Sequence, residues 1–166
     1  ISAEQVDTVR RFGNKVYFGD ASRLDLLSAA RVQDARVFVL AIDDVEASLR
    51  TAETVRRHFP RTRVVARARN RFHAYRLMDL GVELIERETL LSALEMGRQV
   101  LTTLGLDEQT ARTIVERFRE HDLQTLRRQH AVYHDESQLL QTSKEAAAEL
   151  EGLFETDPAQ DGARER

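Results

Sequence analysis

Short apolar runs alternate with amphipathic stretches along the first half of the chain. The longest apolar run, residues 37–42, has the length of a strand, and such runs are typical of strands in a parallel sheet that is covered on both faces. Strands that alternate with helices of about ten to fifteen residues indicate βαβ units. The predicted strands are residues 16–18, 37–42, 64–66 and 82–85, and the predicted helices are residues 2–12, 23–30, 45–59 and 71–80.

The strands stop after residue 87, and the second half is predicted to be helical. A stripe of leucine and valine predicts a helix over residues 90–104, and Asp107 is a plausible N-cap for the next helix. The chain beyond it is polar and helix-prone. Two apolar stripes there recur every seven residues, which indicates a helix that packs on a partner. They are Leu139, Ala146 and Leu153, and Leu140, Ala147 and Phe154.

Composition excludes several classes of protein. The chain has 166 residues, of which 42% are hydrophobic and 32% charged, as in a globular domain. It has no cysteine, which excludes a disulfide framework and a thiol nucleophile. Its apolar runs are far shorter than the roughly 20 residues of a membrane span. A net charge of −3 argues against a nucleic-acid partner. The histidines show no HExxH pattern; His130 and His134 have a spacing that can bind metal, but their setting is polar and lacks an obvious third ligand, so we expect surface histidines and no metal site.

Arginine dominates the basic residues. Lys15 and Lys144 are the only lysines among 25 basic residues. Residues 61–76 hold six arginines and no acidic residue, which favours an anionic partner because the guanidinium fork matches carboxylates and phosphates. Arg67 and Arg69 alternate with alanines, so on a strand they would share one face. Pairing of these arginines with Asp43 or Asp44 is the alternative.

The carboxyl ends of the predicted strands carry the candidate binding residues, because ligands of open α/β sheets bind at that edge. One strand is followed by Asp20, Ala21 and Ser22, and the next by Asp43 and Asp44. Aspartates here can accept hydrogen bonds from a ribose, and the helix N-termini favour an anion. Each can equally be an ordinary helix cap. Ser22 and Asp25, for example, have the spacing of a capping box.

Motifs that would indicate catalysis are absent. The sequence contains no G-x-G-x-x-G turn, no P-loop and no G-x-S-x-G nucleophile elbow. Without a nucleophile–base pair or a hydride-transfer partner, we expect no enzymatic activity and no catalytic residue.

Four ordered motifs resemble a known family. They are Gly19-Asp20-Ala21-Ser22, Ala41-Ile42-Asp43-Asp44, Ala66-Arg67-Ala68-Arg69 and Glu86-Arg87-Glu88-Thr89. Over about residues 3–125 the chain resembles the regulator-of-potassium-conductance, or TrkA-N, domain of bacterial potassium transporters. The last motif, with Gly97-Arg98 and Leu104-Gly105-Leu106 after it, is similar to the Kef-type glutathione-regulated potassium-efflux antiporters.

The resemblance implies an α/β fold: a Rossmann-like parallel sheet followed by a helical carboxyl-terminal region. The family's first strands and glycine-rich turn would precede residue 1, so we expect an amino-terminally truncated sheet. The implied domains are a partial Rossmann-like (TrkA-N) domain at 1–86, a helical dimerisation and regulatory extension at 87–156 and a disordered tail at 157–166.

The resemblance also implies ligands. AMP or NAD(H) would occupy the crevice of the intact domain, beside Asp20, Ala21, Asp43, Arg67 and Arg69. These 166 residues alone would bind it weakly or not at all. Glutathione would be the regulatory ligand, held by Arg87 and by the position of Asp122, where the family has asparagine. An aspartate there is an acceptor only and carries a negative charge, which weakens the glutathione assignment.

The implied partners are a second copy of the chain, a covalently attached membrane antiporter domain and an ancillary oxidoreductase subunit. The helices of residues 88–126, with Phe118 as an anchor, would supply the dimer contacts. The domain itself would be soluble, at the cytoplasmic face of the bacterial inner membrane. Two alternatives stay open: a nucleotide-gated domain of another cation transporter without glutathione control, and a fragment of a NAD(P)-dependent oxidoreductase.

Overall fold

The computed structural model describes residues 19–155, with side chains through residue 152. The predicted helix at 2–12, the strand at 16–18, the tail at 157–166 and the side chains of Leu153 and Phe154 lie outside this description. The chain divides into two compact units, the first ending at Arg87 and the second beginning at Glu88.

The first unit alternates helices and strands, as the pattern predicts. After a 3₁₀ turn at Val32–Asp34, each strand is followed by a helix or by the second unit. The elements are α1 (Leu24–Ala29), β1 (Val37–Leu40), α2 (Val45–His58), β2 (Arg63–Ala68), α3 (Arg71–Asp79) and β3 (Leu84–Arg87).

The described strands form one parallel sheet in the order β1-β2-β3. Leu40 pairs with Ala66 in the register between β1 and β2, and Ala68 pairs with Arg87 between β2 and β3. Each crossover contains one helix, which is the βαβ arrangement. The predicted Rossmann-like α/β class is confirmed.

One face of this sheet is covered by α2 and α3. The buried residues alternate along β2 because successive side chains of a strand point to opposite faces. Both crossovers run in the same direction across the sheet, so right-handed connections place both helices on the same side. The core beneath these helices includes Leu40, Leu49, Ala52, Val55, Val64, Ala66, Ala68, Tyr75 and Leu77.

The opposite face is open among the described residues. Val37 is 49% exposed, Val39 70% and Leu84 50%. The prediction that the run 37–42 is a strand covered on both faces is therefore wrong for the described part of the chain. The reason is the topology just given, since both crossover helices pack on the other side of the sheet.

Strand β3 begins at Leu84, two residues later than the predicted strand at 82–85. The amide of Val82 donates to the carbonyl of Leu77 (3.1 Å), and the amide of Gly81 donates to that of Met78 (2.9 Å). Gly81 has a φ of 74°, so the helix ends in a Schellman motif. Val82 thus belongs to the end of α3, and pairing starts at Leu84.

The described part of the second unit forms three helices, which are α4 (Leu90–Thr103), α5 (Glu108–His130) and α6 (Glu136–Glu155). Helix α5 packs against both of the others. The prediction of a helical carboxyl-terminal region is confirmed. Of the two heptad stripes, Ala146 is buried and Leu140 is exposed.

Candidate ligand-binding site

The carboxyl ends of β1 and β2 lie side by side, since Leu40 and Ala66 are register partners. Both segments that follow begin a helix with a capped amide. The carboxylate of Asp44 accepts from the amide of Ala47 (2.7 Å), and the side chain of Asn70 accepts from the amide of His73 (2.9 Å). Asp44 is therefore the N-cap, which leaves Asp43 beside it for another role.

Arg67 and Asp43 meet at this edge. One guanidinium nitrogen of Arg67 donates to the carbonyl of Ala41 (2.9 Å) and to the carboxylate of Asp43. The side chain of Asp43 is 79% exposed and that of Arg67 31%. The alternative in which Arg67 pairs with an acid after β1 therefore holds. An ion pair this exposed contributes little to stability, about 0–1 kcal/mol, so its partners can exchange for a ligand.

The segment from Gly19 to Ser22 forms a side-chain-bonded turn. The carboxylate of Asp20 accepts from the amide (2.9 Å) and the hydroxyl (2.8 Å) of Ser22. These bonds, more than the charges of Arg50 and Arg23, lower the pKa of Asp20. The hydroxyl of Thr54 donates to the carbonyl of Ser22 (3.1 Å), which ties the turn to α2.

The predicted capping box of Ser22 and Asp25 is wrong. Helix α1 begins at Leu24, and its N-cap residue Arg23 makes no side-chain capping bond. The hydroxyl of Ser22 donates to Asp20, and the carboxylate of Asp25 accepts from Arg23 and from the amide of Leu26. Serine and aspartate bond to whichever nearby group the backbone presents, so a local turn has replaced the box.

His73 supports the turn that carries Arg69. Its Nδ1 accepts from the amide of Arg69 (3.2 Å), and its side chain is 1% exposed. Burial, and then the charge of Arg76, lowers the pKa of His73, which favours the neutral ring that can accept at Nδ1. The sequence analysis did not single out His73 or Asn70. Their three-residue spacing, at the start of a helix that follows a strand, is the signal that could have identified this capped turn.

Arg87 and Asp122 belong to different units and are described separately. Arg87 is the last residue of β3 and is half-buried. Asp122 lies in the middle of α5 and is 7% exposed, on a polar buried side that also holds Thr125 and Gln129. The side chain of Gln129 donates to the hydroxyl of Ser143 on α6 (3.0 Å).

A carboxylate of α6 is held by two basic residues of α5. Glu149 accepts two bonds from Arg128 (2.8 and 2.7 Å) and contacts the ring nitrogen Nε2 of His121 at 3.2 Å. The hydrogen bonds from Arg128 lower the pKa of Glu149 to about 2. Asp135, whose carboxylate caps the start of α6 by accepting from the amides of Ser137 and Gln138, also has its pKa lowered to about 2.

We expect the contact between α5 and α6 to weaken in acid. The pKa values of Glu149 and Asp135 lie below those of the unfolded chain, so their stabilisation is present above about pH 4.5 and is lost as the pH falls towards 2. The protection factors of the amides in residues 136–152, which compare the measured exchange rate with the intrinsic rate at the same pH, should therefore fall across that window. Glu149→Gln should have lower protection factors at neutral pH and lose less protection in acid. Protection factors that do not change between pH 4.5 and 2 would contradict this.

Metal and membrane sites are not found in the described part of the chain. No cluster of three histidine, cysteine, aspartate or glutamate residues there is arranged to hold a metal ion. None of the described helices is both long and apolar enough to cross a bilayer.

Two family models match the chain, one to each unit. Residues 1–87 match the TrkA-N domain, and residues 92–166 match the potassium efflux system KefB C-terminal domain.

Proteins similar to this chain are potassium-efflux systems. The chain is 38% identical over 154 residues to the glutathione-regulated potassium-efflux system protein KefC of Escherichia fergusonii, covering 93% of this chain and 25% of that protein. It is 45% identical over 121 residues to the same-named protein of Salmonella arizonae, covering 73% and 20%. The chain thus spans about a fifth to a quarter of the length of these relatives.

A solved structure is also similar. The Shewanella denitrificans Kef CTD in AMP-bound form is 41% identical, with a TM-score of 0.70, over 72% of this chain and 75% of that one. The resemblance inferred from the four motifs is confirmed. The chain belongs to the Kef potassium-efflux family, as a TrkA-N domain followed by a KefB C-terminal domain.

Proposed function

We propose that this chain is the ligand-sensing regulatory domain of a potassium:proton antiporter and that it binds a nucleotide, AMP or NAD(H). One observation carries the proposal: the carboxyl edge of the sheet brings Asp43 and Arg67 together in a family that includes an AMP-bound relative. Domains of this kind regulate by binding, so catalysis forms no part of the proposal.

Acidic and basic side chains at the carboxyl edge of the sheet would both contact the nucleotide. Asp20 and Asp43 would accept hydrogen bonds from ribose hydroxyls, with Ala21 beside them. Arg67 and Arg69 would contact the phosphate, and the N-terminus of α2 would add its partial positive charge. Arg67 is already bonded to Asp43, so ligand binding would exchange this exposed pair for contacts of both residues with the nucleotide.

The phosphate contact is tested by comparing AMP with adenosine. In calorimetric titrations of the full-length protein, we expect AMP to bind at least about 10-fold more tightly, because hydrogen bonds to charged groups contribute about 1.5–3 kcal/mol. Arg69→Gln should weaken AMP and leave adenosine unchanged. Equal losses for both ligands would remove Arg69 from the phosphate site. Absence of binding by either ligand would contradict the proposed function.

Regulation by glutathione is the finer part of the proposal. Arg87 would hold a carboxylate of glutathione, and Asp122 would contact it from the position where the family has asparagine. The burial of Asp122 at 7% exposure, and its negative charge, are the observations behind a second candidate function, the alternative in which only the nucleotide regulates. The two candidates differ in the response to glutathione alone.

The first unit would bind the nucleotide, and the second unit would form the contacts of a homodimer. Helix α4 buries none of its residues although it is rich in apolar ones, and Met96, Val100 and Leu104 are exposed at four-residue spacing. This stripe supports a dimer contact, whereas the predicted anchor Phe118 is half-buried. Ligands that prefer one arrangement of the dimer would shift a two-state equilibrium.

The remaining partners follow from the same assignment. The full-length protein would carry a membrane antiporter domain covalently attached to this chain, with the present domain on the cytoplasmic face of the bacterial inner membrane. An ancillary oxidoreductase subunit would dock on the regulatory domain. The relatives, of which this chain spans about a fifth to a quarter, have the length that such an attached domain requires.

A further inference from the structure

The acid-free run 61–76 also places two arginines far from the carboxyl edge. Arg61 and Arg63 lie instead at the start of β2, and Arg36 lies just before β1. Because the strands are parallel, all three are at the amino-terminal edge of the sheet. The length of β2, at about 3.3 Å per residue, separates this edge from Ala68 by about 17 Å. The nucleotide site proposed above is therefore a different place.

The three arginines line one cavity. It is open, has a volume of about 610 Å³ and is lined by Arg36, Val37, Arg61 and Arg63. That volume lies within the range of about 300–1,000 Å³ found for small-molecule sites. Among the described lining residues, Val37 is the only one that is not an arginine, and it is half exposed. The described part of the lining therefore offers a small apolar surface and three positive charges.

The backbone fixes these positions before any ligand binds. The amide of Arg63 donates to the carbonyl of Arg36 (3.3 Å), which holds the start of β2 beside the residue that precedes β1. Thr62, between Arg61 and Arg63, is anchored by two hydrogen bonds. Its buried hydroxyl donates to the carbonyl of Val32 (3.2 Å), and its backbone amide donates to the carbonyl of Phe59 (3.0 Å). Only the side chains would have to become ordered on binding, which lowers the entropic cost.

The charges of the cavity are not balanced within the described residues. No described side chain forms an ion pair or hydrogen bond with the guanidinium groups of these three arginines, whereas neighbouring Arg31 is paired with Asp34 (2.8 Å). Three like charges around one cavity repel one another, and an anion between them removes that cost. Guanidinium groups bind phosphate oxygens in pairs, so a multiply charged phosphate suits this lining best.

We propose that Arg36, Arg61 and Arg63 form a second anion site, which binds a dissolved phosphate-bearing molecule at the amino-terminal edge of the sheet. It does not depend on the nucleotide site.

Inorganic pyrophosphate is the probe that tests this site. It is titrated by calorimetry into the full-length protein without AMP, which would itself compete as a phosphate-bearing molecule, and separately into Arg69→Gln, which removes a proposed phosphate contact of the nucleotide site and should leave this second site intact. We expect pyrophosphate to bind, and Arg63→Gln to weaken it by about 10-fold or more, the loss of one charge-assisted contact. Arg57→Gln removes an exposed arginine that pairs with Glu53 outside the cavity and should change the affinity little. Acetate at equal ionic strength should not bind measurably.

Two results would overturn the proposal. Pyrophosphate that fails to bind the wild-type protein would show that the three arginines are solvated charges. Equal losses for Arg63→Gln and Arg57→Gln would show that only the net charge matters. Both results can be obtained whether or not AMP binds, so the failure of this proposal is distinguishable from the failure of the nucleotide site.

Discussion

Leu77→Ala is expected to lower the free energy of unfolding of the first unit by about 2–5 kcal/mol. Leu77 is 0% exposed in α3, which packs on β2 and β3. Removal of its buried methyl groups loses apolar burial and leaves a cavity that the surrounding core fills only partly. Native-state hydrogen exchange of the amides of β2 measures this loss directly, because those bonds break when the unit opens.

The neighbouring Met78 provides the matched control. It lies on the same helix but is half-buried, so Met78→Ala should destabilise β2 less than Leu77→Ala. Equal losses for the two variants would show that α3 is not held to the sheet by the core described above. A loss below about 1 kcal/mol for Leu77→Ala would contradict the packing itself.

Asp43→Ala is expected to weaken AMP binding by about 10- to 100-fold and to change stability by less than about 1 kcal/mol. Asp43 is 79% exposed and bonds only to Arg67 among the contacts given above, so its loss costs the fold little. As a proposed ribose ligand, it would contribute a charge-assisted hydrogen bond. Calorimetric titration with AMP and thermal unfolding of the same variant give the two numbers.

Asp44→Ala should behave in the opposite way. Its carboxylate caps α2, and loss of such a cap costs about 0.5–2 kcal/mol. AMP affinity of the folded variant should stay close to that of the wild type. If the effects of the two substitutions are reversed, Asp44 is the ligand and the assignment of Asp43 is wrong.

The order and type of the elements could be predicted because local patterns determine them. The run at 37–42 and the alternation around Arg67 both indicate strands, and Gly81 marks the end of α3. Boundaries were less predictable. Strand β1 ends at Leu40, and the carbonyl of Ala41 accepts from the side chain of Arg67. This bond joins residues 26 positions apart, so a local pattern does not contain it.

The partners of charged residues could not be predicted for the same reason. Glu46 of α2 bonds to Arg76 of α3, and Glu149 of α6 bonds to Arg128 and His121 of α5. The sequence offers several acidic residues that could pair with each basic one, and the folded structure determines which pair forms. The candidate ligand edge was predictable as a place, because carboxyl ends of parallel strands meet at one edge. Which aspartate there caps a helix required the structure.

The open face of the sheet is the largest departure from expectation. Continuous apolar runs normally indicate cover on both sides, yet Val39 is 70% exposed in the described structure. A run of apolar residues predicts that both faces of the strand are buried, but it does not identify the element that covers each face. The direction of the two crossovers, which places α2 and α3 on the same side, depends on strand order.

The central claim, a regulatory domain that binds nucleotide and glutathione, is tested most directly by thermal-shift titration of the full-length protein. A ligand at 100 times its Kd raises the free energy of unfolding by about 2.7 kcal/mol, which is readily detected. We expect AMP and glutathione each to stabilise the wild type. The rise in melting temperature with glutathione should disappear in Arg87→Ala and should be larger in Asp122→Asn than in the wild type. A retained rise with AMP would show that Arg87→Ala is folded. A shift with AMP but none with glutathione in any variant would leave a nucleotide-only regulator, and no shift with either ligand would contradict the claim.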